Sequence, residues 1–378
     1  MITIILKIII VILNIIYFFI KLLPTRNKVV MISRQSNNIN MDFKLLGNEL
    51  EKKYKVVYLC KTLDGGIKSK IMTKISYGFH MFRQMYHLAT SKVCILDSYC
   101  PTVSILKHKK ALVIIQIWHS VGTMKLFGYT ALDKNEGSSS KLANTMKMHK
   151  NYTYVYAASD AYKDHLRDGF GVNRDIIKTF TLPRIDLLSD ENYEKDIKKK
   201  IYDRYPELKK KINILYTPTF RKEEDDFENY LNDLIKYIDF NKYNFIVKLH
   251  PLSKIHITND NVICDTEFSS FDMLFVADKL ISDYSCFIYE AGVRNIPLYF
   301  YDYDIDKYEN DRGLAISLKE LPGFIESDPK KLVNDLEKEY DYKYLKKFIN
   351  KYVTNTKDCT KKIVNEIDKI MKWFLNMI

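Results

Sequence analysis

Short runs of β-branched and aromatic residues alternate with segments of helical spacing along most of this chain, and this alternation constrains the fold more than any other feature. The first series of runs is VVMIS (29–33), VVYLC (56–60), VCILD (93–97), VIIQIW (113–118) and YVYAAS (154–159). A second series is NILYTPT (213–219), NFIVKLH (244–250), NVICD (261–265), KLISDYS (279–285) and IPLYFYD (296–302). Strands that alternate with helices predict a parallel sheet covered by helices.

Two such series in 378 residues predict two domains. We expect an α/β fold of the GT-B architecture, with two Rossmann-like domains facing across a cleft. The predicted divisions are a membrane-anchoring helix over 1–24, an N-terminal Rossmann-like domain over 25–185, and a C-terminal Rossmann-like domain with C-terminal helices over 186–378. Neither half has a GxGxxG after its first strand, so a dinucleotide-dependent dehydrogenase is not supported.

The first 23 residues, MITIILKIIIVILNIIYFFIKLL, are almost entirely apolar. They predict a helix that either spans a membrane or lies in its plane, and the alternative is a helix buried against the body. No small-residue cleavage site follows, which argues against a removed signal peptide. Lys21, Arg26 and Lys28 follow closely, so the positive-inside rule predicts a body at the cytoplasmic face of the plasma membrane, in contact with membrane lipids.

The net charge of +12 predicts an anionic partner. Nucleic acid is not expected, because no zinc-finger, homeodomain or RNA-recognition signature is present. Six scattered cysteines without a CxxC pair indicate a reducing compartment and no structural zinc. We predict no metal site, and the oligomeric state stays open, a homo-oligomer included.

The first candidate motif follows a strand and contains His119. An imidazole with an ordinary pKa near 6.5 can accept a proton from an attacking hydroxyl. Ser120, Gly122 and Thr123 follow it and suit a loop that approaches a ligand closely. A single histidine at a strand end is more often structural, but the residues that follow His119 favour a functional role.

The second motif places Lys248 and His250 at another strand end, before Pro251. Either Lys248 or a protonated His250 could neutralise the charge on a departing phosphate. An equally weighted alternative is that His250 is structural and bonds to a backbone carbonyl in the turn. The third motif runs from Ser282 through Asp283 and Ser285 to Glu290 and predicts a phosphate-binding turn before a helix. Simple helix capping explains the same residues.

Further hydroxyls and guanidinium groups flank these motifs. Thr217, Thr219 and Arg221 end one strand and suit bidentate phosphate contact, and Arg312 follows an acidic loop. That loop contains Asp302, Asp304 and Asp306 but lacks the spacing of a calcium loop, so we interpret it as a solvated turn.

Together these motifs resemble those of the CDP-glycerol glycerophosphotransferase family of teichoic-acid enzymes, which includes glycerol- and ribitol-phosphate transferases. The resemblance covers roughly residues 27–350 and rests on five motifs in order: Trp118-His119-Ser120, Pro183-Arg184-Ile185-Asp186, Pro218-Thr219-Phe220-Arg221, Leu249-His250-Pro251 and Ser282-Asp283-Tyr284-Ser285-Cys286. Ser120, Cys286 and Glu290 stand where glycine, serine and aspartate are usual, which leaves the transferred polyol open.

The resemblance implies membrane association and transfer of an alditol phosphate from CDP-glycerol or CDP-ribitol to a lipid-linked or polymeric acceptor. It implies release of CMP and no tightly bound cofactor. We predict His119 as the general base and His250, Arg221 and Ser282–Ser285 as groups that stabilise the pyrophosphate. Glu290 is predicted to hold the ribose, while Arg184 and Asp186 join the acceptor loop.

Two alternatives stay open at this point. One is a GT-B glycosyltransferase that uses CMP-sialic acid or a UDP-sugar, since a His-Pro motif and Glu290-Ala291 also suit that class. The other is a non-catalytic membrane scaffold that binds anionic polymers through its basic surface.

Overall fold

The computed structural model describes residues 2–63, 71–221, 225–250 and 253–373. The chain divides into two compact units. Unit 1 contains the described residues of Met1–Ser120, Leu126–Arg184 and Lys357–Ile378. Unit 2 contains those of Val121–Lys125 and Ile185–Thr356.

Unit 1 is built on a six-stranded parallel sheet in the order β2-β1-β3-β4-β5-β6. Its strands are β1 (Lys28–Ser33), β2 (Lys55–Cys60), β3 (Val93–Leu96), β4 (Val113–Gln116), β5 (Tyr154–Ala157) and β6 (Ile177–Thr179). Its helices are α1 (Ile2–Ile20), α2 (Met41–Leu50), α3 (Ile71–Thr90), α4 (Pro101–Ile105), α5 (Ser140–Thr145), α6 (Lys163–Phe170) and α14 (Cys359–Trp373).

Unit 2 repeats the plan with a six-stranded parallel sheet in the order β12-β11-β10-β7-β8-β9. Its strands are β7 (Ile212–Thr217), β8 (Tyr243–Val247), β9 (Val262–Cys264), β10 (Lys279–Ser282), β11 (Leu298–Tyr301) and β12 (Phe324–Glu326). Its helices are α7 (Glu191–Arg204), α8 (Asp225–Tyr237), α9 (Ser270–Met273), α10 (Ile288–Val293), α11 (Ile305–Asp311), α12 (Pro329–Asp335) and α13 (Tyr342–Tyr352).

The central strands are apolar on both faces because helices cover both sides of each sheet. All six residues of β1 are buried, and so are all five of β8. The adjoining helices begin at polar caps, as α2 does where the Asn40 side chain accepts a hydrogen bond from the Phe43 amide. The predicted α/β architecture with two parallel sheets is therefore confirmed.

Two segments lie in the other unit from the one that the sequence pattern predicts. Val121–Lys125 lies in unit 2, where Lys125 forms an antiparallel bridge with Leu314 and the Ala315 amide donates to the Met124 carbonyl at 2.8 Å. The prediction that all C-terminal helices belong to the second domain is wrong for α14. That helix packs on α2 in unit 1, and Asp368 accepts a hydrogen bond from the Tyr54 hydroxyl at 2.8 Å.

Helix α1 is long and apolar enough to cross a membrane, with a mean hydropathy of 2.7 over Thr3–Ile20. Only 6% of that window is buried, yet the helix is attached to unit 1 along one side. The Asn14 side chain donates to the Ile105 carbonyl at 3.0 Å and accepts from the Lys107 amide at 2.9 Å. Tyr17 is fully buried and its hydroxyl lies 2.9 Å from Nδ1 of His108.

Candidate functional site

His119 lies just beyond the carboxyl end of β4, where the chain turns sharply. Trp118 has a φ of 63°, a left-handed conformation that a bulky residue adopts only when its surroundings hold it there. Its amide donates to Oε1 of Gln116 at 2.9 Å, and its ring packs at 4.2 Å from the His119 ring and at 5.1 Å from Phe170. The imidazole is therefore held in one position by aromatic packing.

The hydrogen bonds of His119 define its tautomer. Nδ1 lies 3.0 Å from the carbonyl oxygen of Asp97, which can only accept, and 3.3 Å from the side-chain amide nitrogen of Gln35. The shorter contact, to Asp97, assigns the proton to Nδ1. Nε2 then presents a lone pair. Burial, followed by the charge of Arg184, lowers the pKa of His119 from 6.5 to about 4, so the ring is neutral at pH 7. A neutral imidazole whose Nε2 carries the lone pair is chemically able to accept a proton.

Arg184 and two carboxylates that the sequence reasoning missed surround this histidine. Asp42 accepts from the Arg184 amide and from its Nε, both at 2.9 Å, and the guanidinium reaches the His119 carbonyl at 3.3 Å. Asp97, only 1% exposed, accepts from the Asn40 side chain at 2.7 Å. Asp97 ends the VCILD run, and a carboxylate at a strand end was the available signal.

The other residues predicted for an acceptor loop are divided between the two units. Ser120 belongs to unit 1, whereas Gly122, Thr123 and Asp186 belong to unit 2. The Thr123 hydroxyl donates to the Lys125 carbonyl at 2.9 Å and so closes a local turn.

Unit 2 has its own polar centre around Asp283, whose side chain is fully buried. Its oxygens accept from the Thr219 amide at 2.9 and 3.0 Å, from the Thr219 hydroxyl at 2.7 Å, and from Arg221 at 2.6 Å. Burial alone would raise the pKa of Asp283, but Arg221, Lys125 and the bonds from Thr219 outweigh it and hold the pKa below its ordinary value. Asp283 is therefore a buried anion that organises the turn.

Arg221 is occupied by this network. Its Nε and one terminal nitrogen donate to Asp304 at 2.8 and 2.9 Å, while the other terminal nitrogen donates to Asp283 and to the Thr219 carbonyl. The interpretation of the acidic loop as a solvated turn is wrong for Asp304, whose side chain is only 14% exposed. Two carboxylates thus neutralise Arg221 and use most of its donors.

Lys125 is a cation at this centre that the sequence reasoning did not single out. Its ammonium lies 3.2 Å from the Thr219 hydroxyl and 5.7 Å from the centre of the Tyr308 ring. Among the described residues, no carboxylate lies within 4.0 Å of that nitrogen. Burial lowers the pKa of Lys125, and the negative charge of Asp283 opposes that effect. An ammonium that is bonded to a hydroxyl and has no carboxylate beside it in the described part of the chain is suited to binding an anion.

Lys248 and His250 differ although they are two residues apart. The Lys248 ammonium donates to Asp265 Oδ2 at 2.6 Å and to the carbonyls of Asp265 and Phe268 at 2.7 and 2.6 Å, which uses all three protons. His250 is exposed, packs at 4.9 Å from the Phe220 ring, and lines a small cavity with Thr219 and Arg221. The structure thus brings His250, and not the Lys248 ammonium, to the Asp283 centre.

The remaining predicted donor residues lie on either side of the β10–α10 turn. The Ser282 hydroxyl donates to the Thr217 carbonyl at 3.1 Å, and the Ser285 hydroxyl accepts from the Phe287 amide at 3.3 Å. Glu290, in α10, is only 3% exposed. Arg312 follows α11 and is close enough to Lys125 to influence its pKa.

Two α/β units, each built on a six-stranded parallel sheet, have the architecture of the GT-B class of transferases. No cluster of three or more metal-ligating side chains occurs among the described residues. The chain belongs to the CDP-glycerol:poly(glycerophosphate) glycerophosphotransferase family, which it matches over residues 15–369. It is accordingly a transferase of alditol phosphate from a CDP-alditol in teichoic-acid or related polymer synthesis.

Relatives agree with this assignment, and a solved structure agrees with the fold. The chain is 30% identical over 349 residues to a teichoic acid ribitol-phosphate primase of Bacillus spizizenii, covering 88% of this chain and 89% of the relative. It is 30% identical to a teichoic acid glycerol-phosphate primase of Bacillus subtilis, with 72% of each chain covered. The wall teichoic acid polymerase TagF has the same fold, with a TM-score of 0.74 at 19% identity and 98% of each chain covered.

Proposed function

We propose that His119 is the general base that activates the acceptor. Nε2 takes the proton of the acceptor's terminal hydroxyl, and that oxygen attacks the phosphorus that carries the alditol. A new phosphate ester bond forms, the bond between the two phosphates breaks, and CMP leaves with the electron pair. The observation that carries this proposal is the bond from Nδ1 to the Asp97 carbonyl, which leaves Nε2 as the basic nitrogen.

The donor is proposed to bind at the Asp283 centre of unit 2. Lys125, His250, Ser285 and Arg312 are the groups assigned to its two phosphates, and Glu290 to the ribose. Lys125 is added because its ammonium lacks a carboxylate partner among the described residues. Arg221, Asp283 and Thr219 are assigned to holding the turn in shape, since they bond mainly to one another. Lys248 supports the end of β8 through Asp265.

Donor specificity tests this proposal directly. Purified protein is offered CDP-glycerol, CDP-ribitol and UDP-N-acetylglucosamine with a short alditol-phosphate acceptor, and nucleotide release and product mass are measured. We expect CMP release with at least one CDP-alditol and no UDP release. His119→Ala should reduce turnover by on the order of 10²–10⁴, the usual contribution of a general base. His256→Ala, at an exposed histidine outside both centres, is the matched control.

Each of the other outcomes has a defined meaning. Transfer from the UDP-sugar would support the nucleotide-sugar alternative, and no release from any donor would support a scaffold. Wild-type turnover in His119→Ala would remove His119 as the base.

We further propose that the protein is attached to the cytoplasmic face of the plasma membrane by α1 lying in the membrane plane. The attachment of Asn14 and Tyr17 to unit 1 supports an in-plane helix over a spanning one. Helix α3, which packs on α1, adds exposed apolar residues at helical spacing. We call them the α3 stripe: Ile71, Met72, Ile75, Phe79, Phe82 and Tyr86, from 37% to 70% exposed.

A further inference from the structure

A cavity of about 330 Å³ lies in unit 1 between the end of β2 and helix α3. This volume is within the range of small-molecule sites. Its lining residues are Tyr58, Leu59, Cys60, Lys61, Ser76, Phe79, His80 and Arg83. None of them belongs to the proposed donor or base residues.

Among the residues that the structure describes, the wall of the cavity carries basic groups and no acidic residue. The Lys61 ammonium donates to the Ser76 hydroxyl at 2.6 Å and lies 3.4 Å from the Ser76 carbonyl. Arg83 is exposed and has no ion-pair partner among the described residues. Neither cation has a carboxylate within 4.0 Å in the described part of the chain, so the pair attracts an anion, and a guanidinium suits the paired oxygens of a phosphate.

A buried nitrogen without a partner points to the same ligand. His80 is only 6% exposed, and its Nε2 has no hydrogen-bond partner among the described residues. Burial, followed by the charges of Lys61 and Arg83, lowers the pKa of His80 to about 4. Buried polar atoms in native proteins nearly always have partners, and an unpaired one calls for an explanation. A phosphate oxygen would provide the partner, and the charge of the phosphate would offset the repulsion between Lys61 and Arg83.

An apolar surface adjoins the basic wall. Phe79 lines the cavity, is 70% exposed, and belongs to the α3 stripe. A ligand with a phosphate in the cavity can therefore lay a hydrocarbon chain along Ile75 and Phe82. A soluble phosphate would use only half of this site.

We propose that this cavity binds the phosphate of a lipid-linked acceptor, whose chain lies on the α3 stripe. The proposal rests on the proposed function, since it assigns the acceptor of that reaction. The carboxyl ends of β2 and β4 lie at the same edge of a parallel sheet, so the cavity and His119 occupy that edge together.

Direct binding tests the site without any catalysis. Monomeric dihexanoyl phosphatidic acid is titrated into the full chain by calorimetry, with inorganic phosphate and dihexanoyl phosphatidylcholine as comparison probes. We expect phosphatidic acid to bind more tightly than either. Lys61→Gln/Arg83→Gln should weaken it roughly 10-fold or more, from the loss of two charged contacts. Lys74→Gln, an exposed cation of α3 outside the cavity, should change it less than twofold. Equal binding to wild type and the double variant would overturn the site.

Kinetics then distinguish a lipid-linked acceptor from bulk phospholipid. If the cavity holds the acceptor, phosphatidic acid competes with a lipid-linked acceptor and does not compete with the CDP-alditol. The double variant should then raise KM for the lipid-linked acceptor and leave kcat and KM for the donor unchanged. Phosphatidic acid that binds in the cavity without competing with the acceptor would overturn the acceptor assignment. Because calorimetry needs no turnover, failure of the transfer reaction itself would be seen separately.

Discussion

The pH dependence of transfer is the sharpest test of the base. An imidazole with the ordinary pKa of 6.5 would be roughly one-tenth neutral at pH 5.5. Burial holds the pKa of His119 at about 4, so roughly 97% of the ring stays neutral at that pH. We therefore expect kcat/KM to fall less than about twofold between pH 7.5 and 5.5, where an ordinary histidine would lose about tenfold.

The assay follows CMP release at subsaturating donor across this range, with near-UV circular dichroism to monitor folding. That control is needed because burial also lowers the pKa of His80 to about 4 and of His149 to about 3. Near pH 6.5 these histidines bind protons in the unfolded chain and not in the folded protein. The free energy of unfolding is therefore at its full value above pH 6.5 and decreases as the pH falls toward 4. An acid limb with a midpoint near 6.5 in folded protein would refute the assignment of a buried, neutral His119.

Three other perturbations follow from the same geometry. Arg221→Gln leaves two carboxylates without their ion-pair partner and should cost about 3–5 kcal/mol of unfolding free energy in urea titrations. The control Arg204→Gln, at an ion pair with both side chains 52% exposed, should cost under about 1 kcal/mol, and similar losses in the two variants would contradict a buried network. Lys125→Met should weaken CDP binding roughly 10-fold by calorimetry relative to the exposed-site control Lys319→Met, and unchanged affinity would exclude Lys125 as a donor ligand. Phe18→Glu/Phe19→Glu should abolish co-sedimentation with anionic vesicles while Tyr342→Glu does not, and retained binding would count against membrane attachment through α1.

The site was only partly predictable because a motif names a residue and not its partners. Arg221 and Lys248 stood at strand ends with free charges in the sequence, and both looked suited to phosphate. The fold brings Asp304 to Arg221 and Asp265 to Lys248, across 83 and 17 positions of chain. Lys125 belongs to no motif. In the described structure its ammonium bonds to the Thr219 hydroxyl and not to a carboxylate, and Thr219 is distant from it in the sequence.

The alternation of strands and helices is local information, since a buried parallel strand requires an apolar run and its covering helix an amphipathic one. For that reason the sequence alone determined the two α/β units, the strand ends that carry His119 and His250, and the family. The tertiary structure decided which charges stay available, the placement of Val121–Lys125 in unit 2 and of α14 in unit 1, and the partly buried contact between Nδ1 of His119 and the Asp97 carbonyl. Each of these depends on burial and on partners distant in the chain, and burial and partners set the charge and basicity of a side chain.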